Sequence, residues 1–171
     1  MSDYKVEKKR FSVKLFFPNQ TAKEGDIFLS YLAAHHEGHE RVIDVLNQRD
    51  PFIPIHFKDE ATKLVNKDNI LMVTFPSDGE ETEDSVFTDS RVEVVIHLIK
   101  DTCLEGNFCF SLPIHSRRVK DFLNQSSVDK PEPFLELKNG TEVYLINKAY
   151  ILFVDEKEIT TGGDTWTSRN S

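Results

Sequence analysis

The chain has 171 residues, a formal net charge of −8 and two cysteines. That length allows one domain or two small ones, the acidity disfavours general phosphate binding, and two cysteines are too few for a disulfide framework. No apolar run approaches a membrane span, and the polar, charged residues 1–10 lack a signal-peptide pattern, so the expected setting is the reducing cytoplasm.

In chain order, Phe11-Ser12-Val13-Lys14-Leu15-Phe16 alternates apolar and polar residues, which predicts a half-buried strand. Pro18 and Asn19 end it. A second strand is expected over 25–32, with Ile27, Leu29 and Tyr31 on one face. A loop carrying His35, His36 and His39 follows. His36-Glu37-Gly38-His39 is one residue short of the zinc-protease motif. No further carboxylate or thiol ligand accompanies the loop, so no metal site is expected. These histidines can still tune a surface near neutral pH.

Arg41-Val42-Ile43-Asp44-Val45-Leu46-Asn47-Gln48 reads as a short helix, because Val42, Val45 and Leu46 fall at i, i+3 and i+4. Asn47 is expected to stop it in the left-handed conformation. Arg41 and Asp44 form a surface ion pair worth a few tenths of a kcal/mol. A third strand spans 52–57. Leu64-Val65 and the apolar run 70–73 are two more strands around a polar hinge, Asn66-Lys67-Asp68-Asn69. Residues 76–90 hold Asp78, Glu80, Glu81, Glu83, Asp84 and Asp89 and read as a mobile acidic linker.

Residues 91–154, after the linker, repeat 10–75, before it. The helical octapeptide returns as Arg118-Val119-Lys120-Asp121-Phe122-Leu123-Asn124-Gln125. A shift of 81 residues aligns 10–31 with 91–112 without a gap, setting Gly25 on Gly106. The offset is 82 at Pro51-Phe52-Ile53 against Pro133-Phe134-Leu135, and 81 again at Leu64-Val65-Asn66-Lys67 against Leu145-Ile146-Asn147-Lys148. Gaps fall in polar stretches and matches in apolar ones, as loops and cores dictate. The expected fold is mainly β with one short helix per repeat: two tandem small β-barrel modules of Sm-like or SH3-like type, at 10–75 and 91–154. Residues 155–171 read as a disordered tail, with Trp166 as a candidate docking anchor or an incidental residue.

The second copy runs Val92-Glu93-Val94-Val95-Ile96, Glu105-Gly106-Asn107-Phe108, Phe134-Leu135-Glu136-Leu137 and Tyr144-Leu145-Ile146-Asn147-Lys148-Ala149-Tyr150-Ile151. This order resembles the strand order of Sm-like proteins, including the bacterial Hfq type. In that family the polar pair of the final signature contacts RNA. The resemblance implies that Asn66, Lys67, Asn147 and Lys148 are the corresponding positions. The chain departs from the family by placing its helix between the second and third strands.

Read from the residues alone, the two Asn-Lys pairs are either tight turns with a protective lysine or paired recognition sites for a peptide or nucleic acid. No Gly-x-Ser-x-Gly elbow occurs. Thr161-Gly162-Gly163-Asp164 lacks the strand and helix context of a phosphate loop. Cys109, between two phenylalanines, reads as a packing residue. The expectation is a non-enzymatic interaction or regulatory protein that binds a protein partner and needs no cofactor. The alternative is an Sm-like RNA binder, which the acidity disfavours. The sequence leaves open whether the two units satisfy one another or join further copies.

Overall fold

The structure is a computed structural model that describes residues 7–33, 37–77, 90–110, 119–124 and 132–157. Residues 78–89 of the acidic linker, residues 158–171 of the tail with Trp166, and His35 and His36 lie outside the described residues; Pro76 and Ser90, read as linker, and Asp155 and Glu156, read as tail, belong to strands. The first half contains β1 (Lys8–Phe16), β2 (Ala22–Ser30), α1 (Val42–Leu46), β3 (Phe52–Phe57), β4 (Thr62–Asn66), a 3-10 turn (Lys67–Asn69) and β5 (Met72–Pro76). The second half repeats this order with β6 (Ser90–Leu98), β7 (Thr102–Phe110), α2 (Val119–Leu123), β8 (Phe134–Asn139), β9 (Glu142–Asn147), a 3-10 turn (Lys148–Tyr150) and β10 (Ile151–Glu156).

All ten strands belong to one antiparallel sheet in the order β10-β6-β7-β8-β9-β5-β1-β2-β3-β4. The expected closed barrels do not form. Each half is an open five-stranded segment with the same internal order. The outer side of β5 is occupied by β9, in a register that sets Met72 opposite Ile146 and Val73 opposite Leu145. β5 thus joins the halves instead of closing the first one, and β4 and β10 remain as the two sheet edges.

Burial follows the alternation read from the sequence. Val13, Leu15, Ile27 and Leu29 face inward on β1 and β2, and Val94, Ile96 and Phe108 do so on β6 and β7. A half of about 65 residues buries too little surface to be robust alone, and the halves share their cores. Phe134, Val143 and Leu145 complete the core of the first half, and Met72 belongs to that of the second. Gly25 and Gly106 have the same structural cause. Each lies opposite a valine of the preceding strand, Val13 or Val94. A Cβ on Gly25 would lie 2.9 Å from Ile55, and one on Gly106 would lie 2.7 Å from Leu137.

α1 buries Val42, Val45 and Leu46, as its periodicity requires. The Asp44 carboxylate accepts from the Arg41 backbone N–H at 2.8 Å and from its guanidinium at 3.2 Å. The pair is therefore a helix cap as well as a surface ion pair. Asn47 departs from expectation. Its φ of −93° is ordinary, so it does not end the helix in the left-handed region. Its side chain reaches across to the second half: Nδ2 donates to the Phe134 carbonyl at 3.1 Å, and Oδ1 accepts from the Phe134 N–H at 2.9 Å. No helix among the described residues is long and apolar enough to cross a membrane.

Candidate functional site

The two Asn-Lys pairs adopt one local structure twice. Asn66 and Asn147 share a φ of −71°, and each turns the chain by accepting from the N–H two residues on, at 3.0 Å from Asp68 and 3.1 Å from Ala149. This is the self-bonding that suits Asn to turns. The following lysine N–H is held by a proline carbonyl in both halves, Pro51 for Lys67 at 2.8 Å and Pro133 for Lys148 at 2.9 Å. The sheet joint then brings the two turns side by side. The Tyr150 hydroxyl donates to the Asp68 carbonyl at 2.6 Å, and Asn147 Nδ2 donates to the Ile70 carbonyl at 3.0 Å.

Most of the polar capacity of these pairs is already used. Asn147 is buried in the joint, and Lys67 is buried with its ammonium donating to the Gln48 carbonyl. Burial holds the Lys67 ammonium below the ordinary lysine value, with Asp50 and Asp68 opposing the shift. Lys148 is half-buried and shifts the same way for the same reason, opposed by Glu132. Asp68, Asn69 and Ala149 are the exposed members of the paired turns. Trp166, the remaining candidate, lies outside the described residues.

A second feature exists only because the halves join. A cleft of about 530 Å³ opens between α1, the first strands and the β8–β9 hairpin. Its apolar lining includes Phe11, Leu29, Tyr31, Ile43, Phe75 and Val143. Lys9, Arg41, Lys138, Glu40 and Glu136 contribute charges of both signs. Phe11 and Phe75 meet edge to face at 5.1 Å. Glu40 ties the loop to the scaffold: its carboxylate accepts from the Ser30 N–H at 2.7 Å and from Gln48 Nε2 at 2.8 Å. Of the histidine loop, His39 reaches the cleft, with Nδ1 2.8 Å from the Tyr31 carbonyl. Tyr31 is 50% exposed and Leu32 82%, so apolar surface continues beyond the mouth. No local sequence pattern marks this cleft, because its walls come from six separate elements.

Sequence reasoning also missed a row of reactive groups on β7, β6 and β10. The Cys103 thiol lies 3.2 Å from His97 Nδ1, and His97 Nε2 lies 2.9 Å from Asp155 Oδ2. The Phe153 ring stacks on the imidazole at 4.1 Å. Cross-strand pairing produces the row, since His97 is opposite both Cys103 and Phe153. Cys103 and Asp155 are exposed, so the row lies on an open strand surface. Among the described residues, no three His, Cys, Asp or Glu side chains gather as a metal site requires. Comparison with protein-family models, curated proteins and solved structures finds no match.

Proposed function

We propose that this chain is a non-enzymatic interaction protein that holds a segment of a partner protein in the cleft between its halves. The cleft carries this reading. An apolar, aromatic floor with an arginine and a mixed-charge rim is the anatomy of a protein-binding patch. Exposed Tyr31 and Leu32 extend it into a surface larger than a small ligand needs. The Cys103–His97–Asp155 row carries no competing enzyme assignment, because acyl transfer needs a concave site with converging donors and this row lies on an exposed sheet face. In this reading each half is an open Sm-like unit, an assignment supported by the repeated strand order and the glycine in the second strand. A cytoplasmic setting is supported by the free, exposed thiol of Cys103.

The test is site-specific photocrosslinking in the native cell, with the crosslinker at Tyr31 and, as a control, at Lys58. A discrete adduct from Tyr31 that is abolished by Lys138→Glu and absent from Lys58 supports the cleft. Equal adducts from both positions refute it.

A second reading has one observation in its favour: the two Asn-Lys turns abut, which would give an RNA strand a single continuous site. Lys148 is its available cation. RNA recovery after ultraviolet crosslinking should fall several-fold in Lys148→Ala, and unchanged recovery removes this reading.

A further inference from the structure

We propose that copies of this chain join head to tail, β4 of one copy against β10 of the next, by repeating the β9–β5 joint found inside the chain. This inference is independent of the cleft. The duplication makes residues of the inner joint counterparts of residues at the free edges. Leu145 is 0% exposed in β9, and its counterpart Leu64 in β4 is 72% exposed. Met72 is 6% exposed at β5, against 55% for Phe153 in β10. Leu71 and Leu152 differ in the same way, at 8% and 61%, as do Phe134 and Phe52, at 2% and 52%. A single chain thus leaves in water four large apolar side chains whose twins are covered. Unprotected apolar edges of this kind recruit another strand.

Register and charge identify the strand. Inside the chain, Met72 lies opposite Ile146, Val73 opposite Leu145 and Thr74 opposite Tyr144. Carried to the free edges by the repeat, the same register sets Phe153 opposite Val65, Val154 opposite Leu64 and Asp155 opposite Lys63. The last is an opposite-charge pair directly across two strands. Lys63 now bonds Glu60 and Asp155 bonds His97, but their side chains are 52% and 64% exposed and can re-pair.

The clamp residue repeats the pattern. Asn47 grips both backbone groups of Phe134. Its counterpart Asn124 is exposed, and its amide donates back to the Lys120 carbonyl of its own helix at 2.8 Å. The counterpart of Phe134 is Phe52, at the start of the edge hairpin. The same clamp would tie Asn124 of one chain to Phe52 of the next. Apolar cover, charge pairing and clamp all fall on the same two edges in one register, and each edge has its complement at the other end of the same chain. The occupant is therefore a second copy. Such a contact is heterologous, so repetition either closes a ring or grows a filament.

Native mass spectrometry and sedimentation of the full chain test this with two edge variants, Leu64→Asp and Phe153→Asp. Wild-type chain should form multiples of the monomer mass. Each variant alone should lose higher assembly. An equimolar mixture should give a dimer and nothing larger, because only one intact β4 and one intact β10 then meet. Asn124→Ala should weaken association about tenfold or more while leaving the unfolding of the dilute monomer unchanged, which separates assembly from folding. A wild-type chain that stays monomeric at high concentration overturns the proposal. So does assembly that survives in either edge variant, or a mixture that does not dimerise.

Discussion

Replacing Asn47 by alanine removes the two hydrogen bonds that tie α1 to the start of β8. The Asn47 amide donates at 3.1 Å and accepts at 2.9 Å, both with Phe134. Phe134 is 2% exposed, so water reaches its freed backbone groups poorly. A lost bond costs about 0.5–1.5 kcal/mol, and a stranded buried group about 1–3 kcal/mol. With Asn47 itself half-buried and some solvent able to enter, the sum comes to about 2–3 kcal/mol. The backbone adds nothing, since φ at Asn47 is −93° and alanine adopts it freely. Urea unfolding followed by far-ultraviolet circular dichroism reads this as a fall in midpoint of about 1–1.5 M, for a slope near 2 kcal/mol per M. Asn124→Ala, the same change at the counterpart position, removes an exposed bond within its own helix and should cost about 0.5 kcal/mol or less in dilute monomer. Equal shifts in the two variants, or a shift below about 0.5 M for Asn47→Ala, would refute the clamp.

Other substitutions probe the rest of the fold. Gly106→Ala should destabilise by about 2–3 kcal/mol, because its Cβ meets Leu137 and the Lys138 carbonyl at 2.7 and 2.8 Å. Gly25→Ala, with its closest contact at 2.9 Å to the Ile55 Cγ2 methyl and its closest backbone contact, the His56 carbonyl, at 3.2 Å, should cost less in the same urea titration. Leu145→Ala empties a fully buried site and should cost about 2–5 kcal/mol, whereas Leu64→Ala at the exposed edge should fall within about 0.5 kcal/mol of wild type in dilute solution. Thermal melts of the pair check this. Lys67 sets a pH dependence. Burial lowers its folded-state pKa below 10.5, so between the two values the unfolded chain binds more protons and stability rises with pH. Against Lys67→Met, the wild-type urea midpoint should therefore gain as pH climbs toward 10.5. A difference that stays constant with pH refutes the assignment.

Local features were legible from the residues because near-range sterics and hydrogen bonding decide them. Alternation marked the buried faces of β1 and β2, the i, i+3, i+4 pattern marked α1, and Asn66 and Asn147 turn the chain with the same φ. The duplicated order of elements follows from the same signals. What lies beside each strand is not a local property. Leu64 and Leu145 are the same residue in the same hinge context, yet one is 72% exposed and the other 0%, because β5 covers the outer side of β9, whereas β4 pairs with β3 alone among the described strands. Asn47 and Asn124 end two matching helices, yet only Asn47 has a Phe134 within reach. The open sheet, the shared cores and the cleft follow from that lateral pairing. Hydrophobic period and turn chemistry specify which face a strand buries, whereas its neighbour is chosen by contacts between residues far apart in the chain.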